Sequence, residues 1–308
     1  MNALEIRHVT KTFGARPAVR SLSLDVPEGS IYGFIGPNGS GKTTTIRMVL
    51  NILVPDEGSI RVFGRPSQSA VRDAVGYLPE ERGLYKRMTV RQVLRYYGQL
   101  KGQTRSTLDP MIDRWLTRFD LGPSANARVM TLSKGMSQKV QFIATVITAP
   151  RLLILDEPFS GLDPVNADLL RDAILELRRA GMTLVFSTHD MSAAERLCDR
   201  IFMIYRGDKV LDGSLADIQT RYGHDTVRVK TAGGASVLSM MKDDVESFVD
   251  AGNYQDVRLR RDPQRFLSRL MASTTVTHFE IAQPSLHDIF VRIAGPTAGS
   301  DTASEVSA

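Results

Sequence analysis

The sequence predicts an α/β fold: a mixed, largely parallel core sheet joined by antiparallel N-terminal strands, a helical subdomain over about 85–148, and a smaller α+β domain behind it. Three observations carry this. The apolar run Ile31–Ile35 leads into Gly36-Pro37-Asn38-Gly39-Ser40-Gly41-Lys42-Thr43, and Ile46, Val49, Leu50 and Leu53 recur behind it on one helical face. The run Arg151–Leu155 is almost wholly apolar and ends in Asp156-Glu157-Pro158, as a central parallel strand does. Beyond Gly223 short strand-like and helix-like stretches alternate, in a chain of 308 residues that is long enough for a large domain and a small one.

The elements follow in order. Over residues 3–30, Leu4, Ile6, Leu22, Leu24 and Val26 alternate with polar positions between turn signals at Phe13-Gly14 and Pro27-Glu28-Gly29, which predicts antiparallel strands. A short strand is expected at Ser59–Phe63 and another ending at Ala74–Pro79, then helices at Thr89–Leu100 and Met111–Phe119. Ser133 is placed to cap a helix whose Val140, Ile143, Ala144 and Ile147 share a face. Pro164 opens a further helix that Gly181 closes, and the strand Met182–Ser187 leads to Thr188-His189-Asp190. A helix around Ala193–Cys198 and a hairpin turning at Arg206–Asp208 end this part.

Two places carry chemistry. Gly36, Gly39 and Gly41 let several backbone N–H groups face one concavity at the start of a helix, which suits a triphosphate. Within that loop Lys42 can meet the β- and γ-phosphates, and the Thr43 hydroxyl can join a Mg²⁺ shell. Asp156 and Glu157 stand at the mouth of a buried strand, where adjacent acids cost desolvation unless a cation or proton compensates. Asp156 is therefore a metal candidate and Glu157 a base for water; His189, at the end of the next strand, can hold a γ-phosphate. Phe13 can stack on a purine or simply pack on the sheet, and Glu80-Glu81 can reach a metal-bound water or merely solvate a loop.

Composition narrows the classes. The formal charge of +5 comes without a Lys/Arg block interleaved with aromatics, so direct nucleic-acid binding is not expected. No apolar run approaches membrane-span length and the N-terminal residues lack a secretory core, so a cytosolic protein is expected. The single cysteine, Cys198, suits a reducing compartment.

Taken in order, these motifs resemble the ATPase domain of ABC transporters over residues 3 to about 220. The resemblance makes Gly36–Thr43 the Walker A loop with Thr44 beside it, Leu152–Asp156 Walker B, Glu157 the catalytic base, Ser160–Asp163 the D-loop, His189 the switch histidine and Phe13 the adenine-stacking aromatic. Leu132–Met136 matches the Leu-Ser-Gly-Gly-Gln signature in part: Ser133 and Gly135 are kept, while Lys134 and Met136 depart from it. Glu80 stands where the family has the Q-loop glutamine, with an oxygen for Mg²⁺ but an added negative charge, which Lys134 of a partner subunit would offset.

The implied fold is a P-loop ABC-type ATPase domain over 1–222, followed by a small α+β domain at 223–294 and a disordered tail at 295–308. The C-terminal layout, with Pro284-Ser285-Leu286-His287-Asp288-Ile289-Phe290, resembles the extension on ABC-2-type exporter subunits for sodium or drug efflux. The resemblance further implies ATP and Mg²⁺ as cofactors and a homodimer, or a heterodimer with a similar subunit, in which the signature of one copy covers the ATP of the other. It implies a separate transmembrane permease and a peripheral place on the cytoplasmic face. The rival readings are a soluble ATP-dependent switch on nucleic acid or the ribosome, for which no duplicated cassette is present, and a regulatory module that does not turn over.

Overall fold

The computed structural model describes residues 1–81, 83–223, 225–260 and 262–295. These fall into two compact units that divide at Asp212/Gly213. The sequence reading ends the first domain at 222, but the helix before that point packs with the second unit. Its Ile218 is buried, and the Tyr222 carbonyl accepts a hydrogen bond from Arg292 of the last helix at 2.8 Å.

The first unit opens with strands β1 (Asn2–Phe13), β2 (Arg16–Pro27) and β3 (Ile31–Ile35), then helix α1 (Lys42–Val49). Strands β4 (Glu57–Val62) and β5 (Arg65–Pro66), helix α2 (Ser67–Ala74) and strand β6 (Val75–Leu78) follow. The helical stretch holds α3 (Val90–Leu100), α4 (Arg105–Arg118) and α5 (Lys134–Val146). Strand β7 (Leu152–Asp156), helix α6 (Pro164–Arg179), strand β8 (Thr183–Thr188) and helix α7 (Met191–Leu197) lead to β9 (Arg200–Tyr205) and β10 (Asp208–Ser214).

Two sheets result. One has the order β2-β1-β4-β5 and is antiparallel, with Leu4 opposite Val26 and Ile6 opposite Leu24 and Ile60. The other runs β10-β9-β3-β8-β7-β6, with β9, β3, β8, β7 and β6 parallel to one another. Leu4, Ile6 and Val26 of the first sheet share a buried core with Tyr32, Phe34 and Phe202 of the second. Strands β3, β7 and β8 are buried along their whole length, so their polar ends open together on one edge of the sheet.

Several expectations shift. Helix α1 ends at Val49 and Asn51 turns away at φ 54°, so Leu53 lies beyond the helix although it still packs on the core. Helix α2 escapes a hydrophobic reading because only Ser67 and Ala70 of its eight residues are buried. Helix α4 starts at Arg105 rather than Met111 and runs through Pro110, whose missing N–H forgoes one helix bond while Leu108, Ile112 and Leu116 keep it seated. Thr89 caps α3 in a reciprocal box with Gln92.

The second unit contains α8 (Leu215–Tyr222), β11 (Thr226–Thr231), α9 (Gly234–Met240), β12 (Val245–Asp250) and β13 (Gln255–Leu259). Helix α10 (Pro263–Ser273), strand β14 (Val276–Ile281) and helix α11 (Leu286–Ala294) complete it. Residues Val237–Val249 thus divide into the end of α9 and strand β12. The strands form an antiparallel sheet, β12-β13-β11-β14, whose Val227, Val229 and Val257 pack on Phe266 and Leu270 of α10. Ser285 and Asp288 form the capping box of α11. The tail expected at 295–308 lies, apart from Gly295, outside the described residues.

Within this unit Asp244 is fully buried and forms an ion pair with Arg269 of α10, whose own side chain is half exposed. Removing the cation strands a buried carboxylate. Arg269→Ala is expected to lower the unfolding free energy by about 2 kcal/mol, less than for a pair buried at both ends; urea denaturation followed in the second unit checks this, and no change would show that Asp244 stands without its partner.

Candidate functional site

Strand β3 delivers the glycine loop to the open edge of the parallel sheet. Its last residue, Ile35, lies in register with Thr188 of β8 and Met203 of β9. Gly36 and Gly41 sit at φ 155° and 115°, and a Cβ on either would come 2.2 Å from the Ile204 carbonyl oxygen or 2.5 Å from that of Ala18. Only glycine lets the loop lie this close to its neighbours. The Gly207 N–H donates to the Ser40 carbonyl at 3.0 Å, and the Thr45 hydroxyl to the Gly41 carbonyl at 2.9 Å, so the loop is held from both sides.

Lys42, the first residue of α1, is buried, and its Nζ donates to the carbonyls of Gly36 at 2.6 Å and Pro37 at 3.1 Å. Burial lowers its pKa, against the opposing pull of Glu157, Asp156 and Glu80. Ser40 Oγ is buried with no hydrogen-bond partner, an orphan that points to a polar ligand. The cavity in front of the loop has a volume of about 160 Å³ and is lined by Ala18, residues 38–44, Glu80, Asp156 and Glu157.

Asp156 ends β7 and is buried. Burial raises its pKa, with Glu157 and Glu80 adding to the effect. Tyr77 nearby is pushed up to about 12 by burial and then by the Asp156 charge. Glu157 sits in the left-handed region at φ 47°, with its N–H donating to the Ser187 carbonyl at 2.9 Å. Its Oε1 accepts from the His189 N–H at 2.8 Å and lies 2.7 Å from His189 Nδ1, while Oε2 accepts from the Thr188 hydroxyl at 3.0 Å. That carboxylate bond raises the His189 pKa, against the lowering effect of burial.

The structure therefore brings Asn38, Gly39, Ser40, Gly41, Lys42, Thr43, Thr44, Glu80, Asp156 and Glu157 onto one wall. Gly36 and Pro37 hold Lys42, and His189 joins through Glu157. Phe13, Ser133, Gly135 and Asp163 are not on this wall. Phe13 is exposed at the end of β1, with Lys11 Nζ 5.8 Å from its ring centre. Ser133 caps α5 by accepting from the Met136 N–H at 3.2 Å, and Asp163 caps α6 by accepting from the Asn166 N–H at 3.0 Å.

Lys134, expected to face a partner's nucleotide, lies across Gly161 of its own chain: a Cβ on Gly161 would come 2.7 Å from Lys134 Cε. Gly135 faces Leu162 and Asn166, so the 133–136 segment packs on the 160–163 turn. Two contributors were missed from sequence. Ala18 acts through its backbone and gives no side-chain signal, whereas Thr188 stands beside His189 as a hydroxyl at a strand end. Among the described residues no group of three or more His, Cys, Asp or Glu side chains could hold a metal ion.

A glycine cradle with a buried lysine, a strand-end acid pair and a histidine bonded to the second acid define a P-loop nucleoside triphosphatase. Comparison with known proteins gives the family. Residues 19–160 match the model described as ABC transporter, and residues 213–294 the model described as ATP-binding protein DrrA1-3-like, C-terminal domain. A Bacillus subtilis protein named Uncharacterized ABC transporter ATP-binding protein YhaQ is 40% identical over 294 residues, covering 95% of this chain and 98% of its own. Nod factor export ATP-binding protein I from a Rhizobium species is 32% identical over 297 residues, covering 95% and 97%. A solved structure described as the ATP binding subunit of an ABC transporter superposes with a TM-score of 0.68 at 29% identity, covering 72% of this chain and 93% of that one. The chain belongs to the ATP-binding proteins of ABC transporters, which are ATPases.

The His189 pKa is raised in the folded protein, so its bond to Glu157 contributes fully below the unfolded pKa of about 6.5 and fades as pH rises through the folded value. The stability gap between wild type and His189→Ala should therefore narrow from pH 6 to pH 9 in urea unfolding. A constant gap would show that the charged imidazole is not held by Glu157.

Proposed function

We propose that this chain is the ATP-hydrolysing subunit of an exporter and works as a head-to-tail pair of like copies, on the cytoplasmic face, against a separate membrane subunit. The observation that carries the catalytic part is the shared wall of Lys42, Thr43, Asp156 and Glu157. Lys42 and the loop N–H groups bind the polyphosphate. Glu157 accepts a hydrogen bond from water and aims it at the γ-phosphorus, with His189 and Thr188 fixing its two oxygens. Because Nδ1 is engaged by Glu157, Nε2 is the ring nitrogen left to meet a γ-phosphate oxygen.

The residues fit Mg²⁺. Three carboxylates, Glu80, Asp156 and Glu157, act on one buried ammonium and leave negative charge to offset, and the set is too sparse to cage a metal without phosphate and water. Thr43, Asp156 and Glu80 would hold the ion, which when bound neutralises charge on the β- and γ-phosphate oxygens. For the adenine, Phe13, exposed at the end of β1, is the aromatic that would stack.

The pairing is supported by what the wall lacks. Ser133, Gly135 and Asp163 lie elsewhere on the same chain, in a segment where Ser133 and the α5 N-terminus offer hydroxyl and N–H groups to a second copy's γ-phosphate. Among the described residues no helix is long and apolar enough to cross a membrane, which supports a separate permease. Export is supported by the relative named for Nod factor export.

Lys42→Ala should abolish ATP binding in equilibrium titration, and retained tight affinity would contradict the cradle. Glu157→Gln should keep ATP but lower turnover by about 10²–10⁴-fold, the range a positioned base contributes. Dimers should then accumulate on gel filtration with Mg·ATP; near-normal turnover would remove Glu157 from the base role.

A further inference from the structure

Glu80 reaches the pocket wall from an exposed loop, so its place depends on what holds the backbone on either side of it. That hold comes from a residue no motif covers. Gln141, in the third turn of α5, is 5% exposed, and its Nε2 donates to the Pro79 carbonyl at 3.2 Å and to the Glu81 carbonyl at 3.2 Å. The two peptide oxygens flank Glu80. Both amide hydrogens are needed for two acceptors, and the reversed amide would set oxygen against oxygen, so the orientation is fixed by the contacts. One turn further on, the Thr145 hydroxyl lies 3.5 Å from the Tyr77 carbonyl.

We propose that Gln141 is the positioning residue for Glu80: its amide clamps the carbonyls of the residues on both sides of Glu80 to α5 and so holds the carboxylate at the metal-and-phosphate end of the pocket. The assignment rests on the nucleotide reading given above. Gln141 Oε1 is buried and has no hydrogen-bond partner. A buried amide with half its groups unsatisfied is a poor choice for packing alone, where leucine or methionine would fill the space without that penalty. Its two donated hydrogen bonds offset the penalty of that buried oxygen. The same helix begins at Ser133, so the clamp also makes the loop bearing Glu80 follow any shift of the signature end of α5.

The test is a double-mutant cycle between Gln141→Leu and Glu80→Ala, with Gln141→Met as a second apolar variant should leucine fold poorly. Three measurements are made on the full chain. Mg²⁺ is titrated into protein holding a non-hydrolysable ATP analogue, thermal melting is recorded, and hydrogen exchange of the Glu80 and Glu81 amides is followed without nucleotide. Gln141→Leu is expected to raise the Mg²⁺ half-saturation concentration about tenfold, the low end for loss of a residue behind a metal ligand. Melting should be unchanged or higher, exchange of the two amides faster, and Gln141→Leu should add nothing in the Glu80→Ala background.

Multiplicative effects of the two substitutions would overturn the proposal. So would a variant that melts lower yet keeps wild-type Mg²⁺ half-saturation and exchange, because Gln141 would then be a packing residue only. If the wild-type chain bound no ATP analogue, the nucleotide reading would fail by itself, and the exchange rates would still decide whether Gln141 clamps the loop.

Discussion

One buried ammonium group organises the first unit. Lys42 is withdrawn from water, hydrogen-bonded to two carbonyls of its own loop, and acted on by three carboxylates, two adjacent at the end of β7 and one from the loop after β6. Burying such a group costs free energy unless the surroundings are polar and of opposite sign. The fold meets that demand by ending fully buried strands at one edge: β3 gives the glycine loop, β7 the acid pair and β8 the threonine and histidine that fasten Glu157. The apolar lengths of these strands are what allow their polar ends to be so concentrated.

Much of this was legible because it is encoded locally. The glycine spacing before Lys42, the apolar run before Asp156 and the Ser133, Asp163 and Ser285 caps each depend on a few neighbouring residues and local backbone geometry. What sequence did not disclose depends on distance in the chain. Ala18 contributes a carbonyl that lies against Gly41, and Gln141 reaches back to residues about sixty positions earlier. Helix α2 has no stripe to read, since so few of its residues are buried, and α8 joins the second unit through contacts with α11 that composition does not record.

Two of the three departures in the motifs, Glu80 and Lys134, occupy different places within the chain. Glu80 stands on the cavity wall and contributes to the field at Lys42 and Asp156, so its charge is part of the site. Lys134 lays its stem over Gly161 and serves the contact between the 133–136 segment and the 160–163 turn. The second unit is held differently, by an antiparallel sheet packed on α10, with arginine–carboxylate pairs such as Arg228–Asp256 and Arg258–Asp225 along its strands.

Glu157 has a backbone conformation that glycine or asparagine would occupy more comfortably, at φ 47°. Its side-chain bonds to Thr188 and His189 hold it there against that preference. Backbone ease and side-chain anchoring therefore pull in opposite directions at a single position: a glycine there would relieve the turn and at once release the threonine and histidine it fastens.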